Sequence, residues 1–217
     1  MKARGALQRF WKQDWALSVM LALLVLLVFV LPPFTVASEE RGPLVDVALT
    51  LLLAAGVAGL QVRPWTRSAL LLTAVAAMSV RLMPATSEQV IALSSLVSLG
   101  LMAAVVLYQT FRGSDVSIHH VQGAVAGYLL LGLVWAAAYA LVAALHPGAF
   151  ASNVSLQQDR SFVYFSFVTL TTVGFGDVTP VHPTARSLVV LEALTGQLYP
   201  AVLLARIVTL HTGKAGR

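Results

Sequence analysis

Seven consecutive residues carry the clearest chemical reading in the chain: Thr171-Thr172-Val173-Gly174-Phe175-Gly176-Asp177. Glycine reaches the left-handed backbone region at little steric cost, and Gly174 and Gly176 hold alternate places. A backbone that alternates in hand turns successive carbonyl oxygens toward one line. Stacked carbonyl rings can replace the water around a dehydrated cation, so Thr172, Val173, Gly174, Phe175 and Gly176 read as an oxygen ladder. Thr172 adds a hydroxyl at the inner end. Val173 and Phe175 can turn their side chains outward and wedge the loop against the helix before it. The sequence has no phosphate-binding glycine loop, zinc-spaced histidine pair or catalytic triad arrangement, and the chain reads as a non-enzyme.

Irregular backbone at membrane depth is tolerated only where protein encloses it or where it lines a water-filled path. The elements that position the ladder must therefore supply a membrane setting, and the composition agrees. The 217 residues are 58% hydrophobic and 11% charged, with a mean hydropathy of +0.83. An ordinary globular chain is about 45–50% apolar and about 25% charged, so a soluble domain and a disordered chain are both excluded. A net charge of +5 implies no nucleic-acid partner. With no cysteine there are no disulfides, thiolate ligands or cysteine nucleophiles.

A spanning helix needs about 20 mostly apolar residues. The runs that qualify are Trp15 to Phe34, Leu44 to Val62, Thr66 to Met83, Gln89 to Phe111, Val121 to Leu145 and Arg186 to Leu210. Of the nine prolines, Pro32 and Pro33 fall at the very end of the first run, where it passes into a connection, and only Pro200 falls well inside a span. With the N-terminus inside, ten Lys and Arg fall on that side and four on the other, which predicts that both termini are cytoplasmic. A cleaved leader is the rival reading of the start, but the first apolar core exceeds the roughly 7–15 residues of a signal. The expected organisation is a cytoplasmic segment 1–14, a four-helix domain 15–111, a linker 112–120, a domain 121–210 and a tail 211–217. Between the last two spans, Ser161 to Leu170 is a ten-residue apolar stretch. It reaches about 15 Å as a helix, half way across, and so reads as re-entrant. The expected pieces there are a short helix 161–171, the ladder 172–177 and a last helix 186–210.

This arrangement resembles the potassium channel family. TTVGFGD behind an aromatic-rich half-span helix is similar to that family's selectivity filter, where Tyr is commoner at the place of Phe175. The similarity extends over Val121 to Leu210. Arg186 opens the last helix nine positions after Asp177, and Gly196 stands nineteen after it, where many members carry a hinge glycine. The run Glu192-Ala193-Leu194-Thr195-Gly196-Gln197-Leu198-Tyr199 resembles a signature of small bacterial channels of this type. The resemblance implies an all-α membrane protein with six transmembrane helices and a re-entrant filter between helices 5 and 6. It implies K+ as the permeant ion at Thr172, Val173, Gly174 and Phe175, with Asp177 and Thr171 supporting the filter and no cofactor. One chain carries one filter and four loops close a ring, so the implied partners are further copies of the chain in a homotetramer, together with membrane lipid. The implied location is a bacterial cell membrane. Phe175 departs from the commoner Tyr by lacking a hydroxyl that tethers the filter, and Val168 stands where some relatives place a buried carboxylate, which leaves Asp177 without that partner.

Further residues carry narrower expectations. Glu192 sits about two turns into the last span, where an ionised carboxylate without partners is unfavourable. It is expected to support the pore helix through Thr171 or Ser166, the alternative being a cation attractor in the water-filled vestibule. Gly196 and Pro200 are candidate hinge positions. Ala193, Gln197 and Leu204 are expected to line the cavity at helical spacing, with Pro200 between them. Gly123 and Gly127 form a small-xxx-small pair that permits close approach of another helix. The fourth span has no basic residue before Arg112. Moving one charge through the field is worth about 2.3 kcal/mol per 100 mV, so no steep voltage sensing is expected. The rival functions are a non-selective cation pore and a non-conducting scaffold or regulatory subunit. A potassium uptake system, the remaining rival, carries four such loops in one long chain.

Overall fold

The computed structural model describes residues 18–30, 49, 51–56, 64–83, 86–112, 118–152 and 159–215. The N-terminal segment 1–14 and much of the first two expected spans lie outside them. The helices are α1 (Ser18–Val30, π-helical over Leu26–Val30), α2 (51–56), α3 (Pro64–Leu82) and α4 (Glu88–Arg112). After them come α5 (Ile118–Leu145), strand β1 (Phe150–Ser152), α6 (Asp159–Leu170), strand β2 (Val178–Pro180) and α7 (Pro183–Ala215). Among the described residues, three stretches are long and apolar enough to cross a membrane: Glu88–Arg112, Val121–Leu145 and Pro183–Thr209. The architecture is that of a mostly helical membrane protein. Its small antiparallel pair of three-residue strands was not expected from the sequence.

Local chemistry sets the boundaries. The Ser87 carbonyl accepts from the amides of Val90 and Ile91, and Glu88 in the first turn of α4 complements the helix dipole. Pro147 and Gly148, the latter with φ 83°, end α5 in a turn closed by Ala149 N to His146 O at 3.0 Å. Pro183 suits the first position of α7 because its missing N–H is not needed there, and His182 Nδ1 caps the helix by accepting from Thr184 N at 3.3 Å. This cap starts α7 three residues before Arg186. At its other end α7 runs on to Ala215, beyond the expected stop at Leu210. The short helix α6 begins at Asp159 and ends at Leu170, against an expected 161–171.

Two apolar clusters hold these elements. Met20 and Leu24 of α1, Leu52 of α2, Met102 and Val106 of α4 and Leu130 of α5 belong to the first. The approach of α4 to α5 uses the small pair: a Cβ on Gly123 would lie 2.6 Å from Thr110 Oγ1, and one on Gly127 would lie 2.7 Å from Leu107 Cδ2. The second cluster joins Tyr139 of α5, Phe150 of β1, Phe162 and Phe165 of α6, Val178 of β2 and Ala185 of α7. Its rings meet edge to face, as Phe150 does with Phe162 and Phe165 at centroid distances of 5.1 and 5.7 Å. That cluster fixes the frame from which the ladder hangs.

Candidate ion-conduction site

Helix α6 has twelve residues, about 18 Å at 1.5 Å per residue, and its C-terminal end delivers the chain into the ladder. The ending is a Schellman-type turn. Val173 N donates to Val168 O at 2.9 Å and Thr172 N donates to Thr169 O at 2.9 Å, which places Thr172 at the left-handed position that usually belongs to glycine. Thr172 has φ 59°, Gly174 57° and Gly176 77°, whereas Val173 and Phe175 are not left-handed. The backbone therefore alternates in hand through five residues. The sequence accounts for two of the three left-handed positions through glycine; the third is a β-branched residue in a region such residues disfavour. Gln197 of α7 braces it, with Nε2 donating to Thr172 Oγ1 at 3.1 Å.

The end of the ladder farther from α6 is tied separately. Asp177 accepts from Val178 N at 3.1 Å and pairs by a side-chain hydrogen bond with Tyr164 of α6. Tyr164 is thus the α6 partner of Asp177 where Val168 offers none. Beyond it, β2 runs antiparallel to β1 with Ala151 opposite Thr179. Val181 N and His182 N both donate to Ala149 O, at 2.8 and 3.1 Å, and the His146 and His182 rings stack at 4.3 Å. The ladder is therefore slung between the end of α6 and a short sheet rooted on α5.

Behind α6 lies a buried polar junction. Glu192 of α7 is fully buried. Its Oε1 lies 2.5 Å from Ser166 Oγ, and its Oε2 accepts from the Tyr139 hydroxyl of α5. Ser166 Oγ also lies 2.7 Å from the Gly132 carbonyl of α5. Glu192 meets Ser166, and Thr171, just past the end of α6, instead donates back to Phe167 O of that helix at 2.6 Å. Burial turns the carboxyl group away from any vestibule. Two glycines bring the helices this close. A Cβ on Gly132 would lie 2.5 Å from the Phe167 ring, and one on Gly196 would lie 1.8 Å from the Leu170 backbone oxygen. The latter oxygen also accepts from the Tyr128 hydroxyl at 3.3 Å. Gly196 is thus a site of close approach between α7 and the end of α6.

The remaining predicted residues are placed as follows. Gln197, Pro200 and Leu204 are exposed on α7 and Ala193 is half-buried; α7 continues as one helix through Gly196 and Pro200. At the other end of α7, Arg206 donates to the Phe111 carbonyl and lies over the Phe111 ring, 5.3 Å from its centroid. That contact ties α7 to the end of α4. On α3, Arg81 donates to Ser95 Oγ of α4 at 2.7 Å. Sequence reasoning missed Tyr128, Gly132 and Tyr139. Their offsets of four and eleven residues place them on one helical face, so hydroxyls aligned with a glycine on an otherwise apolar span were the available signal.

Residues 127–212, which contain most of α5, all of α6, the ladder and nearly all of α7, match the model of a family described as Ion channel. This supports an ion channel. Similar curated proteins include Protein LctB of Bacillus caldotenax, 43% identical over 56 residues, which is 26% of this chain and 40% of that protein. Protein LctB of Geobacillus stearothermophilus is 43% identical over 63 residues, covering 29% of this chain and 45% of that protein. The chain thus spans less than half the length of the curated relatives it matches. No solved structure matches it.

Proposed function

We propose that the chain is one subunit of a potassium-selective channel. In this reading four six-helix subunits, with both termini cytoplasmic, surround one pore in a bacterial cell membrane. The pore conducts K+ passively and without steep voltage gating. The observation that carries the reading is the alternation of backbone hand at Thr172, Gly174 and Gly176, directly beyond a helix that reaches half way across a bilayer. Four such segments about one axis bring the carbonyls of Thr172, Val173, Gly174 and Phe175 into stacked rings that replace the hydration shell of the ion. The Thr172 hydroxyl adds an oxygen at the inner end. The C-terminal pole of α6 carries partial negative charge, which favours a cation near the inner mouth.

The surface of the single chain supports assembly. Val173 is 53% and Phe175 is 70% exposed, so neither is wedged against its own α6, and adjoining subunits would cover them. Only 11% of the apolar stretch of α7 is buried within the chain, against 44% for α5. The uncovered face includes Leu194, Leu198 and Val202, a stripe at helical spacing that fits other copies and lipid. The lack of a basic residue in α4 before Arg112 supports weak voltage dependence.

The test is the reversal potential of the purified protein in a planar bilayer with KCl on one side and NaCl on the other, beside Gly174→Ala. The expected result is reversal far toward the potassium equilibrium potential. That selectivity should be lost in the variant, because alanine at φ 57° is strained. Reversal of the native protein near zero would favour the non-selective pore, and absence of current at every voltage, pH and lipid would favour the scaffold.

A further inference from the structure

The oxygens around Glu192 can be counted against the protons available to them. Three close contacts link four groups in series: Tyr139 hydroxyl to Glu192 Oε2, Glu192 Oε1 to Ser166 Oγ at 2.5 Å, and Ser166 Oγ to Gly132 O at 2.7 Å. Each contact needs one proton. Tyr139 supplies one and the Ser166 hydroxyl one, while the Gly132 carbonyl can only accept. With an ionised Glu192, two protons would serve three contacts. One pair of bare acceptors would then face each other at hydrogen-bond distance in a buried site, which is repulsive. A proton on Oε1 completes the series: Tyr139 donates to Oε2, Glu192 donates to Ser166, and Ser166 donates to Gly132.

The surroundings favour the same state. Both partners of Glu192 are hydroxyl groups and bring no positive charge. Tyr128 of α5 is close enough to act on it electrostatically, and it too is uncharged in its phenol form. A buried carboxylate without a compensating cation is strongly unfavourable, and a neutral acid with its hydrogen bonds made is not.

We propose that Glu192 resides in the membrane as a neutral carboxylic acid that donates to Ser166, and that it is thereby a positioning residue locking α6 between α5 and α7. The protonation state is read independently of the conduction proposal; only the consequence for the filter rests on that proposal. Because Ser166 lies four residues before Leu170, the lock holds the last turn of α6, from which the ladder starts.

The test is infrared difference spectroscopy on the full chain in liposomes at neutral pH. The difference between native protein and Glu192→Gln is expected to show loss of a protonated-carboxyl C=O band. Loss of carboxylate bands instead would overturn the proposal. Glutamine offers an N–H to Ser166 and an acceptor to Tyr139, so the variant is expected to assemble as the native protein does, and failure to assemble would count against the neutral state. Labelling with 13C-glutamate gives the same readout without any substitution: a protonated-carboxyl band that shifts with the label is expected, and its absence refutes the assignment. Ser166→Ala removes the acceptor of the proton and is expected to move the band to higher frequency; an unmoved band would refute the donation to Ser166. If the protein proves not to conduct K+, these bands are unaffected, so the two proposals fail separately.

Discussion

The two ends of α6's surroundings are built on opposite plans. Behind the helix, Glu192, Ser166, Tyr139 and Gly132 satisfy one another inside a single chain, and Gly196 seats α7 against the Leu170 carbonyl. At the ladder, Val173 and Phe175 stand 53% and 70% exposed, and the carbonyl line has one side only. The first region is satisfied within one chain, and the second leaves its side chains uncovered. In the proposed tetramer, a rigid junction would let each subunit present its ladder in a fixed pose, and assembly would then need to order only the faces that meet. Stability and conduction should therefore separate under mutation: changes in the junction act on the fold, and changes at the ladder act on the ion.

The largest expected effect comes from Gly196→Ala. A Cβ there would lie 1.8 Å from a backbone oxygen, and backbone cannot turn aside as a side chain can. Overpacking of a core usually costs about 1–3 kcal/mol, and this collision belongs at or above the upper end. Loss of the assembled protein in size-exclusion chromatography is the expected outcome. A hinge role predicts the contrary: normal assembly with an altered open probability. Recovery of well-folded Gly196→Ala protein would return Gly196 to the hinge reading.

Next in size is Tyr139→Phe, which deletes the donor to Glu192 Oε2. A buried acceptor left unpaired costs about 1–3 kcal/mol. The thermal midpoint of the detergent-solubilised protein should fall while the reversal potential of the surviving channels stays where it was. A shifted reversal potential would show that the junction and the ladder are not separable.

How far these regions were legible in the sequence follows from what each requires. The ladder needs particular residue types at consecutive places, so TTVGFGD announces it, and a half-length apolar run announces α6. The junction needs residues from three helices separated by tens of positions, and a lone tyrosine or glycine in an apolar span carries no label of its partner. Glu192 was legible as a buried acid seeking hydroxyls; of the two named, Ser166 is its neighbour and Thr171 is not, because Thr171 bonds back to α6 at Phe167 O. Thr172 in the left-handed region was illegible for a different reason. A β-branched residue disfavours that region, and it is held there by the turn closed on Val168 and Thr169 together with the tertiary contact from Gln197. The same contact gives Gln197, expected from spacing alone as a cavity-lining residue, a definite partner.

Gln197→Leu is a smaller perturbation of the ladder alone. A partly exposed hydrogen bond contributes about 0.5–1.5 kcal/mol, so assembly should be unchanged. Thr172, released from its brace, should relax toward commoner backbone angles, and preference for K+ over Na+ should weaken in bi-ionic recordings. Unaltered selectivity would mean that the Schellman turn at Val168 and Thr169 holds Thr172 by itself.

The smallest effect is expected from Phe175→Tyr. The ring is mostly exposed in one chain, and exposed substitutions usually lie within about 0.5 kcal/mol of neutral; subunit stability should not move. The added hydroxyl is an extra donor on the outward side of the ladder, where the α6 of an adjoining subunit would supply acceptors. In the proposed channel a tether at that point would resist collapse of the carbonyl rings when ions leave, so current during a sustained voltage step should decay more slowly than in the unsubstituted protein. The comparison is sharpest when both variants are recorded together. Gln197→Leu acts at the inner end of the ladder and Phe175→Tyr at the outer, so the first should change which ion passes and the second how long the path stays open. If both altered decay and neither altered selectivity, Thr172 would not be an ion-coordinating end of the ladder, and coordination would begin at Val173.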